Sequence, residues 1–295
     1  MKKIKYIIFL IAIVGTVISC DDTDVSSVIS EDAKPVVSAT ISSSSLSESD
    51  SPTVNIMITM DKPIKTTTTF IANQVGGNAS EADFVVGSAV VPAFQTSTIL
   101  EVAINDDILP EGTETLELQI TPAGVPDIYE VLETPVVSLS ITNSTSDDFV
   151  FNMDWDALYL DADGGEHHLC DYDFDIEIYN ADFSGPIAAS YSDCPEEIRL
   201  SPGDLPDGNY WLAPTFWTNT TAVPPADPID VPVILTFAKP GLSLDTVDLT
   251  GLWNTEVGGV VQGNPDSTLF KYILTISGST YTVTDSDTGT VVFQG

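Results

Sequence analysis

Apolar and polar residues alternate one by one along much of this chain. Val54, Ile56 and Ile58 interleave with Asn55, Met57 and Thr59, and Leu100, Val102 and Ile104 with Glu101 and Ala103. Leu116, Leu118 and Ile120 repeat the pattern, as do Val137, Leu139 and Ile141. A period of two in Val- and Thr-rich segments bounded by turn residues predicts half-buried antiparallel strands. Beyond the first twenty residues no window sustains a 3.6-residue apolar stripe, so little helix is expected. Several such strands within about 110 residues predict an antiparallel, Ig-like β-sandwich.

The polar stretch Thr142-Asn143-Ser144-Thr145-Ser146-Asp147-Asp148 separates this block from a second one. That block opens with Phe149-Val150-Phe151-Asn152-Met153-Asp154-Trp155 and continues through Tyr172, Phe174, Ile176 and Ile178, then Tyr210-Trp211-Leu212, Val233 to Phe237 and Tyr272 to Ile276. It closes with Tyr281-Thr282-Val283 facing Val291-Val292-Phe293 across Asp287-Thr288-Gly289, a hairpin whose glycine supplies positive φ. Pro240-Gly241 interrupts the pattern, but about 55 residues beyond it would make a marginal core alone. The expectation is two tandem sandwiches, 35–145 and 148–295, in an all-β protein.

The first nineteen residues read differently. Lys2, Lys3 and Lys5 precede an apolar run from Tyr6 to Ile18, too short to span a bilayer and typical of a secretory signal. Val17-Ile18-Ser19-Cys20 resembles the lipobox of bacterial lipoproteins. The resemblance implies cleavage after Ser19, lipidation of Cys20, and a membrane partner reached through acyl chains. Asp21, Asp22 and Asp24 resemble the signal that sends lipoproteins of the Bacteroidota to the outer face of the outer membrane. The alternative is that they belong to a solvated tether over residues 20–34.

Three of the nine basic residues precede Ser19 and all 44 acidic ones follow it, so the chain from Cys20 onward carries a formal charge of −38. Nucleic acid is excluded as a partner, because phosphate binding needs clustered Lys and Arg. Docking on anionic lipid head groups is disfavoured for the same reason. Solubility in a salty medium and sites for hard divalent cations both remain. Cys170 and Cys194 are left after Cys20. A secreted compartment permits a disulfide between them, with two free buried thiols as the alternative.

The sharpest chemical signal is Ala103-Ile104-Asn105-Asp106-Asp107-Ile108-Leu109-Pro110-Glu111-Gly112-Thr113-Glu114. A hairpin-like connection would bring four carboxylates to one end of the sandwich. Left facing one another they would raise each other's pKa, a conflict that calcium resolves. This segment resembles the Calx-β domain, a calcium-binding sandwich. Leu46-Ser47-Glu48 and Ala79-Ser80-Glu81-Ala82-Asp83-Phe84 extend the match over about residues 35–145. The resemblance implies Glu48, Asp83, Asp106, Asp107, Glu111 and Glu114 as ligands. Calcium-binding members end the domain with a further acidic run; here Thr142-Asn143 stands there, which implies one weakly held Ca2+.

In the second block Asp171, Asp173 and Asp175 alternate with Tyr172, Phe174 and Ile176, and read as a solvated outer face, with a cation site as the alternative. Asp173 to Tyr179 with Leu205 to Tyr210 loosely resembles the pre-peptidase C-terminal type of β-sandwich. Asp161-Ala162-Asp163-Gly164-Gly165-Glu166 reads as a turn. His167 and His168 point to opposite faces of an extended strand and cannot share a metal readily. Trp211, Phe216 and Trp217 read as core, with Trp211 and Trp217 as a sugar-binding platform the alternative. No GxSxG, HExxH or P-loop pattern occurs. The expectation is a non-catalytic, lipid-anchored interaction or adhesion protein with an extracellular protein or polysaccharide ligand. The alternatives are a glycan-binding accessory lipoprotein of a polysaccharide-uptake system, and a hydrolase, which needs a cleft holding two carboxylates.

Overall fold

The computed structural model describes residues 34–49, 51–123, 134–220 and 222–295. Cys20, the signal segment and the acidic tether lie outside them. The described residues form an all-β structure without α-helix; two single 3-10 turns, Leu169–Asp171 and Val260–Gln262, are its helical content.

The strands before Thr142 are β1 (Val37–Ile41), β2 (Ser45–Ser47), β3 (Thr53–Met60), β4 (Thr68–Gly77), β5 (Phe84–Val86), β6 (Ala89–Val91), β7 (Ser97–Ile104), β8 (Thr113–Ala123) and β9 (Val136–Thr142). They build two sheets, in the orders β1-β3-β7-β5 and β2-β9-β8-β4-β6. The alternating residues read from the sequence are the core. Val54, Ile56, Ile58, Leu100, Val102, Ile104, Leu116, Leu118, Ile120 and Ile141 are fully buried in one cluster between the sheets. All pairs are antiparallel except β2 with β9, where Ser45, Leu46 and Ser47 run parallel to Ser140, Ile141 and Thr142.

The second block contains β10 (Phe149–Asp154), β11 (Leu158–Leu160), β12 (Glu166–His168), β13 (Asp173–Tyr179), β14 (Pro186–Tyr191), β15 (Glu196–Leu200), β16 (Gly208–Thr218), β17 (Ile234–Lys239), β18 (Ser243–Asp248), β19 (Tyr272–Ser277), β20 (Thr280–Asp285) and β21 (Val291–Gln294). A four-stranded sheet, β15-β10-β17-β18, faces a six-stranded one, β14-β13-β16-β19-β20-β21, and β11-β12 forms a separate ribbon. Aromatic rings fill the space between the sheets. Phe174 and Phe216 stack with centroids 4.5 Å apart, and Trp155 and Trp253 pack against Phe174. Tyr272, Leu274, Tyr281, Val283 and Phe293 join the cluster that holds Phe149 and Phe151, so residues beyond Pro240 share its core. The closing hairpin forms as the sequence suggests, with Val283 opposite Phe293 and Gly289 at φ +70°.

The two blocks meet at a turn. Between β17 and β18, the Gly241 N–H donates to the Ile108 carbonyl at 3.3 Å, and the Ser146 N–H donates to the Pro240 carbonyl at 3.1 Å. Lys239 pairs with Asp147 at 2.9 Å. Gly241 adopts φ +67°, and a Cβ there would stand 1.9 Å from the Ser144 carbonyl oxygen, so no other residue fits without moving the joint.

A candidate cation site and its surroundings

The Asn105–Gly112 segment is not a hairpin. β7 pairs with β3 and β5, whereas β8 pairs with β4 and β9. The segment therefore arches from one sheet to the other over the open end of the core. That difference matters for chemistry: an arch carries its carboxylates over the gap between the sheets, where burial is deeper than on a hairpin's rim. Gly112, at φ +87°, makes the last turn into β8.

Five of the six expected residues converge there. Oxygens of Glu48, Glu111 and Glu114 lie within 4.8 Å of one another, and so do those of Asp83, Asp107 and Glu111. Glu111 belongs to both trios. Glu48, Asp83 and Glu114 are almost wholly buried, with 1%, 2% and 4% of their surface exposed. Asp106 falls outside both trios, and its carboxylate accepts a hydrogen bond from the Ser144 hydroxyl.

Local hydrogen bonds fix the acids in place. The Ser80 N–H and hydroxyl both donate to Asp83. The Ser144 N–H donates to Glu48 at 3.1 Å, and the Leu109 N–H to Asp107 at 2.7 Å. Asn143, standing where the Calx-β resemblance implies an acidic run, anchors the arch. Its side-chain amide donates to the Leu109 carbonyl at 2.7 Å and its backbone N–H to the Gly112 carbonyl at 2.9 Å. A residue that could have been a ligand is here a brace.

The electrostatics are those of an uncompensated cluster. Burial raises the pKa of Glu48, Asp107 and Glu111, and neighbouring carboxylates add to each shift. Glu114 is pushed up to about 7, by burial first and then by its hydrogen bond to Asp83. The Oε2 atoms of Glu111 and Glu114 are buried without a hydrogen-bond partner among the described residues. Buried carboxylate oxygens left without donors are costly. A hard cation with flexible oxygen coordination is the kind of group that can supply what the donors do not.

The other expected groups fall elsewhere. Cys170 and Cys194 form a disulfide, with Cα atoms 5.7 Å apart. Asp161 closes a turn, its Oδ1 accepting from the N–H groups of Asp163 and Gly165. His167 and His168 engage different acids, Asp161 at 2.9 Å and Asp156 at 3.1 Å. Of the three clustered aromatics only Phe216 enters the core. Trp217 is 41% exposed, and Trp211 is half-buried against Phe183.

The solvated-face reading of Asp171, Asp173 and Asp175 needs correction. Asp171 lies in the 3-10 turn before β13, and Asp175 is buried. Glu177, absent from that reading, continues the row, and the three acids on β13 line one cleft together with Tyr191 and Trp217. The alternation in Asp173-Phe174-Asp175-Ile176-Glu177 was the available signal. That β14 and β16 would raise walls around it was not legible locally.

No protein-family model matches the chain, and a search of curated proteins finds no match either. Among solved structures the chain is similar to CBD12 from CALX1.2, with 11% identity and a TM-score of 0.27 over 58% of this chain and 78% of that one. It is similar to the calcium binding domain CBD12 of CALX1.1 at 10% identity and TM-score 0.27, over 61% and 80%. A third similarity, at 10% identity and TM-score 0.24, is to native alpha-2-macroglobulin from Escherichia coli, over 50% of this chain and 23% of that one.

Proposed function

We propose that this protein is a non-catalytic, lipid-anchored interaction module of the outer cell surface, stabilised by calcium. The observation that supports it best is the convergence of Glu48, Asp83, Asp107, Glu111 and Glu114 around buried oxygens without donors. Calcium held there neutralises like charges and ties β2 and the approach to β5 to the arch between β7 and β8. Ile108 of the same arch touches the turn at Gly241, so the ion stiffens the joint between the two sandwiches. Lipid on Cys20 tethers the chain, and the second sandwich faces outward for adhesion.

The test is the melting curve in millimolar calcium and in EDTA. An ion that binds only the folded state raises the midpoint by linkage. Asp107→Ala combined with Glu111→Ala abolishes the rise; a rise that survives the double substitution places the ion elsewhere.

A further inference from the structure

The outer face of the six-stranded sheet carries a cleft of about 480 Å³, within the range of sites that hold small ligands. Its floor is β13, which presents Asp173, Asp175 and Glu177 on one side of the strand. Register explains the hollow. Asp175 stands between Tyr191 and Thr215, and Glu177 between Ala189 and Ala213. Short neighbours leave room beside the acids, while Tyr191 and Trp217 rise at the rims.

Asp175 is 7% exposed, and among the described residues its carboxylate has no hydrogen-bond or ion-pair partner. Burial, then the charges of Asp173, Glu196 and Glu177, push it up to about 7. Glu177, by contrast, is held firmly, accepting the hydroxyls of Tyr179 and Tyr191 at 2.6 Å each. These bonds also fix the Tyr191 ring, half of whose residue surface is exposed. No basic residue lines the cleft. The three basic residues of this block are engaged elsewhere: Arg199 with Asp148 and Glu197, Lys239 with Asp147, and Lys271 with Asp285.

These features select among ligands. Asp173, Asp175 and Glu177 are not among the acids whose oxygens converge within 4.8 Å, so one metal ion does not satisfy them together. A neutral polyol would strip water from three like charges and return no opposite charge, which raises the desolvation cost. A guanidinium returns that charge in a planar, bidentate form and also stacks on an aromatic face. We propose that this cleft binds an arginine-bearing basic segment of an extracellular protein, the guanidinium pairing with Asp175 and stacking on Trp217. The inference deepens the interaction role above and needs no calcium.

The experiment is calorimetry on the full chain at physiological salt, in calcium and again in EDTA. The probes are a short arginine-rich peptide and, separately, neutral oligosaccharides. Saturable peptide binding is expected in both media, weakened about tenfold or more by Trp217→Ala and by Asp175→Asn. Asp245→Asn, which removes an exposed acid on β18 outside the cleft, should leave it unchanged. Trp217 is exposed enough to replace without unfolding, and Asp173→Asn reads the same charge if Asp175→Asn does not fold. Equal weakening by Asp245→Asn would reduce the binding to general attraction and overturn the proposal. So would neutral oligosaccharides binding at Trp217 while the peptide does not. Peptide binding without any calcium-dependent melting would count against the cation site alone.

Discussion

Asp83, buried beside Glu114 inside the first sandwich, helps hold a proton on the Glu114 carboxyl. With burial as the larger cause, Glu114 therefore holds its proton more tightly in the folded protein than in the unfolded chain. Glu48, Asp107 and Glu111 are shifted in the same upward direction. The contribution of Glu114 is therefore complete below the ordinary carboxylate range and is lost as pH rises through about 7, and the other three act in the same direction. In EDTA the melting temperature should fall between pH 5 and pH 8, by the equivalent of a few kcal/mol. Calcium should flatten or reverse that slope, because the ion stabilises the ionised cluster. A pH-independent midpoint in EDTA would contradict the cluster's electrostatics.

Gly241→Ala introduces a side chain at φ +67° and 1.9 Å from the Ser144 carbonyl oxygen. The expected cost is about 1–3 kcal/mol, read as a lower melting midpoint. Because the Gly241 N–H also binds Ile108 of the arch, the same variant should need more calcium to reach its full rise in midpoint.

The Cys170–Cys194 disulfide closes a segment with a sequence separation of 24. Cys170→Ser with Cys194→Ser should destabilise the protein by about 3 kcal/mol on the chain-entropy account. Denaturant unfolding of the double variant measures this directly, and reductant should have no further effect on it.

Phe174→Ala removes a fully buried ring that touches Phe216, Trp155 and Trp253. A loss of about 3–5 kcal/mol is expected. Phe174→Leu, which keeps most of the volume, should cost markedly less, and the difference between the two measures how closely the rings are packed.

Most of the strands were legible because the side-chain period of two survives wherever one face is buried. Val54 to Ile58 and Leu116 to Ile120 announce themselves, and their burial follows the pattern residue by residue. The connections were less legible. Whether β7 and β8 lie in one sheet or two depends on pairings with β3, β4, β5 and β9, far away in sequence, so a segment with hairpin-like turn chemistry became an arch. Asp107, Glu111 and Glu114 could be named because they cluster in sequence, Glu48 and Asp83 through the Calx-β resemblance; that all five converge could not, since it comes from that arch. Asn143 shows the reverse. Its residue type suggested a missing ligand, while its hydrogen bonds to Leu109 and Gly112 exist only once the two ends of the sandwich meet. The β13 cleft was least visible, because Ala189, Ala213, Thr215 and Trp217 shape it from two other strands.

The parallel pairing of β2 with β9 gives the first sandwich a mechanical character. One strand lies near the beginning of the block and the other at its end, side by side and running the same way. A pull that draws Lys34 and Phe149 apart therefore loads their shared hydrogen bonds lengthwise and together, in shear, instead of opening them one after another as a zipper would. Once β1, which lies between Lys34 and β2 and pairs with β3, has been loaded, the sheared pair at Ser45–Ser47 resists next, right beside Glu48. Load passing along the chain is then borne at the strand that leads into the carboxylate cluster.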